Sequence, residues 1–215
     1  MSVSVRNPNS QPVTQRQWVR RGELLDAARR VFERDGYHAA TVSAIVQAAG
    51  LSQGAFYLYF PDKKAVFAAL QEEMATLLRR RIYWATRDER DPASRLTAGL
   101  RSYFEFYAEY DHWNRRLLTE GLGIDASFEA RHADLNRTLT LAFAPTFAEL
   151  AISEPALAGV ALIGMAAQLA YAQHFQSLTE PPLPPEALAE ACARLFLDGA
   201  AANETGNQRS ATQHA

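Results

Sequence analysis

The stretch Ala48-Ala49-Gly50-Leu51-Ser52-Gln53-Gly54-Ala55-Phe56-Tyr57-Leu58-Tyr59-Phe60-Pro61-Asp62-Lys63-Lys64 decides the fold. Upstream of it, Thr41 is placed to N-cap a short helix from Val42 to Ala49, which Gly50 ends. Leu51 and Ser52 then start another helix almost at once. Ser52 is its N-cap, and the apolar pair Phe56 and Phe60, at i and i+4, points inward. Pro61 breaks that helix, and Asp62 can cap a longer one from Lys63 to about Arg87, with the next boundary at Asp91-Pro92. Two short helices joined through Gly50-Leu51 have the dimensions of a helix-turn-helix.

On the N-terminal side, a first helix from about Gln17 to Asp35 gathers Leu24, Leu25, Ala28, Val31 and Phe32 on one face. Gly36 is expected to stop it as a left-handed C-cap, and Arg20, Arg21, Arg29, Arg30 and Arg34 lie on the outer face. On the C-terminal side the pattern stays helical, with helices expected near 93–110, 112–121, 127–150, 155–177 and 184–198. No Val/Ile/Thr alternation bounded by hairpin turns interrupts it. The fold class is all-α: a three-helix helix-turn-helix head over 16–62 and a larger antiparallel helical domain over 63–200, with helix 63–87 connecting the two. Residues 1–15 read as a disordered arm and 201–215 as a disordered tail.

Charge is unevenly divided. Residues 1–87 carry thirteen Lys/Arg against seven Asp/Glu, a net of +6, and the rest of the chain carries −8, giving −2 in all. A basic first segment on an otherwise acidic chain suits a polyanion. No run of about 18 or more apolar residues and no secretory h-region is evident, so a cytoplasmic protein without membrane insertion is expected. The single Cys192 lies on an Ala-rich helix and reads as a buried structural thiol. Glu129, His132 and Asp134 do not share one helical face, and no P-loop or G-x-G-x-x-G is present. Neither a metal, a cofactor nor catalysis is expected.

The helix-turn-helix geometry suggests how the first segment would meet DNA. A major groove about 12 Å wide admits one helix, whose first turn reaches base edges. Gln53 can make paired hydrogen bonds to adenine, and the hydroxyls of Tyr57 and Tyr59 suit phosphate oxygens. Gly54 and Ala55 are small enough for close backbone approach. Lys63 would add charge to exposed amides at a helix N-terminus. A tight helical hairpin with Tyr57, Leu58 and Tyr59 packed in a core would have the same spacing.

Residues Arg20 to Leu70, and the quoted stretch above all, closely resemble the DNA-binding domain of the tetracycline-repressor (TetR) family, over about a quarter of the chain. The resemblance implies a three-helix head followed by a ligand-binding and dimerisation body of about six helices, usually in a homodimer. It implies DNA contacts from Thr41, Val42 and Ser43, from Ser52, Gln53, Gly54, Ala55, Tyr57 and Tyr59, and from Lys63. Tyr59 replaces a frequent histidine and Pro61 a frequent polar residue. The expected function is a ligand-responsive transcriptional regulator, a repressor released from a pseudo-palindromic operator by a small apolar or aromatic effector. A helical protein-binding adaptor, or an enzyme without DNA binding, is the alternative.

In the larger domain, Tyr103, Phe106, Tyr107, Tyr110, Trp113, Phe128 and Phe147 form an aromatic set that either an effector pocket or an ordinary core would need. His132, Gln168, Tyr171 and His174 supply polar tips to the candidate pocket. The charge-poor, small-residue segment 158–172, with Gly159, Gly164 and Ala167, and the helix bearing Leu188 and Leu195 are the candidates for a dimer interface.

Overall fold

The structure, a computed structural model, describes residues 15–116, 125–175 and 180–212; the side chains of Arg16, His174, Phe175 and 200–212 lie outside that description. Among the described residues there are helices and no strand. In order they are α1 (Gln15–Ala39), α2 (Val42–Ala49), α3 (Gln53–Tyr57), α4 (Lys63–Thr86), α5 (Pro92–Glu109), α6 (Asp111–Arg116), α7 (Ala126–Glu149), α8 (Pro155–Phe175) and α9 (Pro185–Thr212). Two compact units divide the chain, residues 1–70 and 71–215, so the boundary falls inside α4. The sequence places it after Asp62. Val66, Phe67 and Leu70 are nevertheless buried, and the first turns of α4 belong to the head.

The head's core is the apolar face of α1 (Leu24, Leu25, Ala28, Val31, Phe32) closed by Ile45, Phe56, Phe60, Val66 and Phe67. Phe32 meets Phe67 edge-on at 5.1 Å, and Tyr37 meets Phe67 at 5.0 Å, in the geometry that ring quadrupoles favour. The arginines outside this core are largely paired within α1: Arg20 with Glu23 at 2.8 Å, Arg29 with Glu33 at 2.9 Å and Arg34 with Asp35 at 2.6 Å. Gly36 breaks α1, at φ 78 and ψ 170. That is an extended positive-φ conformation and not the left-handed helical cap the sequence suggests, and one further turn follows before Ala40.

The second unit has α5 at its centre, packed against α7, α8 and α9. Gly99 of α5 leaves room for the Phe143 ring, since a Cβ there would stand 2.8 Å from Phe143 Cζ. The antiparallel α7–α8 hairpin closes in the same way, because a Cβ on Gly159 would lie 2.5 Å from Thr140 Cγ2. Cys192 is fully buried, and burial pushes its thiol up to about 11, in keeping with an inert core residue. The helix α9 continues to Thr212, whereas composition alone suggests a tail from 201. The Ala200-Ala201-Ala202 run has high helix propensity, and no proline stops it. Residues 1–14 and 213–215 lie outside the described residues.

Packing sorts the glycines by what surrounds them. Gly159→Ala should cost about 1–3 kcal/mol through overpacking against Thr140. Gly22, helical in α1 with nothing within 4 Å of a built Cβ, should instead gain about 0.5–1 kcal/mol on replacement by Ala. Denaturant unfolding of the two variants beside the wild type measures the opposite signs.

Candidate DNA-binding surface

Three side-chain caps, read directly from local sequence, set the surface of the head. Thr41 Oγ1 accepts from the Ala44 amide at 3.1 Å, Ser52 Oγ from Ala55 at 3.2 Å, and Asp62 from Ala65 at 2.7 Å. Each satisfies an amide that has no partner inside its helix. Gly50 turns the chain from α2 to α3 in the left-handed region, at φ 64 and ψ 32. The Leu51 amide returns to Val46 O at 2.9 Å. Only α3's first five residues are regular helix, and Phe60 closes onto Phe56 O at 3.0 Å just beyond it, ahead of Pro61.

With Phe56 and Phe60 buried, the opposite face of α3 is left to solvent. Ser52, Gln53 and Gly54 are exposed, Tyr57 is 57% exposed, and Ala55 and Tyr59 are half-buried. Tyr57 does not pack in the core, as the hairpin alternative requires; its ring edge rests on Phe56 at 5.3 Å and the rest projects outward. Thr41 and Ser43 are exposed beside Val42, which is half-buried. The sequence reading missed Leu58, an apolar side chain 81% exposed on this surface. Its position between two tyrosines was the available signal. Gly54 has no positive φ, and a built Cβ would meet only Ser52 Oγ, at 3.9 Å. Nothing in the head itself requires glycine there.

Lys63 departs from expectation. Its ammonium donates to Tyr37 O at 2.6 Å, Ala40 O at 2.8 Å and His38 O at 3.3 Å, and stands 4.5 Å from the centre of the Tyr37 ring. Burial lowers its pKa from the ordinary lysine value. An ammonium has three protons, and here all three point to carbonyls. The Asp62 carboxylate, moreover, already occupies the start of α4. In this structure the Lys63 ammonium is therefore held as an internal cap on the broken end of α1.

The family description "Bacterial regulatory proteins, tetR family" fits residues 24–70, which lie within the first packing unit and end where it ends. Over that segment the chain is similar to the TetR family. It is 36% identical over 101 residues to the HTH-type transcriptional activator FasR of Mycolicibacterium smegmatis, covering 47% of this chain and 46% of FasR. With the HTH-type transcriptional repressor AcnR of Corynebacterium efficiens the identity is 33% over 135 residues, 62% of this chain and 63% of AcnR. These alignments span less than two thirds of either curated relative. Among solved TetR-like folds, the transcriptional regulator FadR of Bacillus subtilis, crystallised in complex with stearoyl-CoA, superposes with a TM-score of 0.69 at 20% identity. That superposition covers 83% of this chain and 98% of FadR, a likeness of fold.

In the second unit, most of the residues expected to line a pocket are buried. Tyr103, Phe106, Tyr107, Trp113, Phe128 and Phe147 are buried, and Tyr103 stacks on Tyr107 at 4.5 Å. Burial raises both phenol pKa values, most for Tyr103. Tyr110 is half-buried and lies with Phe106 beneath the Arg81 guanidinium, which pairs with Glu109 at 2.5 Å. Gln168 is exposed, Tyr171 is half-buried, and the His174 side chain lies outside the described residues. His132 lines a groove between α4 and α7.

The dimer candidates divide by orientation. Gly159 and Leu188 are buried within their own unit, Gly159 against Thr140. Gly164 and Leu195 face solvent and Ala167 is half-buried. The exposed side of α8 also carries Leu157 and Val160, each 62% exposed. By length and composition Pro155–Gln173 would suffice to cross a membrane, although no single run of the sequence suggests it. One side of that helix is packed on α7 and α9, and the apolar remainder is the stripe just described. Among the described residues no group of three or more His, Cys, Asp or Glu is placed to hold a metal ion.

Because its partners are internal, Lys63→Met should destabilise the head by about 2–3 kcal/mol, the usual cost of losing charge-assisted bonds to buried acceptors. Urea unfolding measures it, and an unchanged midpoint would contradict the cap.

Proposed function

We propose that this chain is a ligand-responsive, DNA-binding transcriptional regulator that acts as a homodimer in the cytoplasm and carries no catalytic site of its own. Its mode is repression, relieved when a small molecule with an apolar body binds the second unit. The observation that carries the reading is the outward face of α3. Gln53, Gly54 and Tyr57 are presented to solvent by caps that already satisfy the local backbone, and the glycine has no internal justification. A glycine within a helix costs about 0.5–1 kcal/mol relative to alanine. Close approach of an outside backbone is a physical reason to keep it there, and a DNA groove provides one.

On this reading Gln53 reads a base, Tyr57 and Tyr59 grip phosphates, Leu58 adds apolar contact, and Thr41, Val42 and Ser43 follow the strand. Lys63 acts behind them as a positioning residue. The exposed stripe of Leu157, Val160 and Gly164 on α8, with Leu195 on α9, is the surface that a second copy would cover. Contiguous exposed apolar side chains of this kind commonly mark an interface. Two heads on a two-fold axis would occupy successive major grooves about 34–36 Å apart. One uninterrupted helix, α4, carries both head-core residues and groove-lining ones. An effector that repositions α4 would change that spacing. Driving the DNA-competent population from 99% to 1% requires about 5.5 kcal/mol of differential affinity. The stearoyl-CoA complex of Bacillus subtilis FadR supports a ligand within this architecture.

Titration of a duplex selected from a random pool by the wild-type protein tests the assignment. Gln53→Ala should cost about 1–3 kcal/mol at one base position and relax specificity there. Gly54→Ala should weaken every sequence roughly tenfold or more while leaving the head no less stable. Lys63→Met should leave the slope of log affinity against log salt unchanged, because no phosphate contact is lost. If the pool yields no preferred sequence, or if Gln53→Ala and Gly54→Ala both bind as wild type, α3 is not the reading element.

A further inference from the structure

Two adjoining cavities lie in the second unit between α4 and α7, of about 390 Å³ and about 200 Å³. Arg79 lines both. Gln71 and Ser127 mark one end and Thr86 and Thr146 the other, so the two helices run in the same direction along a single groove. Its two ends differ in chemistry.

Toward Thr86 and Thr146 the walls include Ile82, Leu139 and Phe143, and three of the polar groups among them are already engaged. Thr86 donates to Ile82 O at 2.8 Å, Thr138 to Asp134 O at 2.8 Å, and Arg95 pairs with Glu149 at 2.7 Å. A ligand meets hydrocarbon there.

Toward Gln71 the opposite holds. The Ser127 hydroxyl, which can donate, has no hydrogen-bond partner; Gln71, 7% exposed, has an unpartnered Oε1 that can only accept. Buried polar atoms of this kind are costly unless something satisfies them. The carboxylates at this end are neutralised, Glu72 by Arg79 at 2.8 Å and Asp134 by Arg137. Arg131 lines the same cavity, is exposed, and forms no ion pair with a described residue. Burial lowers the pKa of His132, which keeps that ring neutral beside it. Among the described residues that line this end, Arg131 is the cation left without a carboxylate.

We infer that the groove between α4 and α7 binds an amphipathic monoanion, its anionic head at the Arg131 guanidinium and the Ser127 hydroxyl, both donors, and its apolar body along Ile82, Leu139 and Phe143. The inference rests on the reading of the chain as an effector-controlled regulator and supplies the chemical class of that effector. It places the site away from the Tyr103–Tyr107 stack, which is core.

Isothermal titration of the full chain with decanoate, decan-1-ol and decyltrimethylammonium, which share a ten-carbon tail and differ in head charge, tests it. Decanoate should bind saturably, at least tenfold tighter than the alcohol, and the ammonium should bind weakest. Arg131→Gln, at an exposed position, should weaken decanoate about tenfold and leave decanol within twofold. Ala142→Trp, exposed and lining the apolar end, should weaken both tenfold or more. Absence of decanoate binding, equal affinity for acid and alcohol, or decanoate binding indifferent to both substitutions overturns the proposal. DNA affinity measured without any amphiphile separates the two readings. A chain that binds its selected duplex but not decanoate refutes the groove alone, and one that binds decanoate in the predicted order but no duplex refutes the regulator.

Discussion

The carbonyls of Tyr37, His38 and Ala40 stand at the broken end of α1, where no further turn of helix can receive them, and the ammonium of Lys63 gathers all three. Left alone, the Ala40 carbonyl would be a partly buried acceptor without a donor. With Lys63 in place, the end of α1, the approach to α2 and the first residue of α4 are tied at one point. One turn further along α4, Phe67 packs against both Phe32 and Tyr37, so the polar tie and the aromatic core reinforce each other. The short α3, too brief to be stable alone, depends on this frame.

That frame explains why so much of the helix-turn-helix surface is free. Backbone amides at the starts of α2, α3 and α4 are satisfied by Thr41, Ser52 and Asp62, and the apolar faces point inward through Ile45, Phe56 and Phe60. What remains outward is a set of side chains with no structural duty. In the second unit, by contrast, the aromatic residues of α5 and α7 are used for packing. Its polar asymmetry lies between α4 and α7, where Gln71 and Ser127 keep unpartnered oxygens beside Arg131.

Local chemistry was legible in the sequence and distant chemistry was not. The Thr41, Ser52 and Asp62 caps, the left-handed Gly50 and the inward Phe56 follow from residues within four positions of one another, and the chain fulfils them. Lys63 has internal partners that are not legible in the sequence because they lie 23 to 26 residues upstream. Its position at a helix start suggests an anion, and only the fold brings carbonyls to it. The aromatic stripe of α5 was ambiguous for a related reason: rings at i and i+4 mark a buried face equally well whether that face meets a ligand or a neighbouring helix. Gly159 shows the same limit, since a small residue signals close approach without saying which helix approaches, and here it is α7 of the same chain.

Capture and sequencing of the chromosomal fragments bound by the protein in its own cell tests the central claim most directly. A two-fold regulator read by α3 predicts a small number of enriched sites sharing a pseudo-palindrome, its half-sites centred about one helical turn apart, lost when Gln53 and Tyr57 are both replaced by Ala. Enrichment no greater than a mock capture, or sites unaffected by that double substitution, would contradict it.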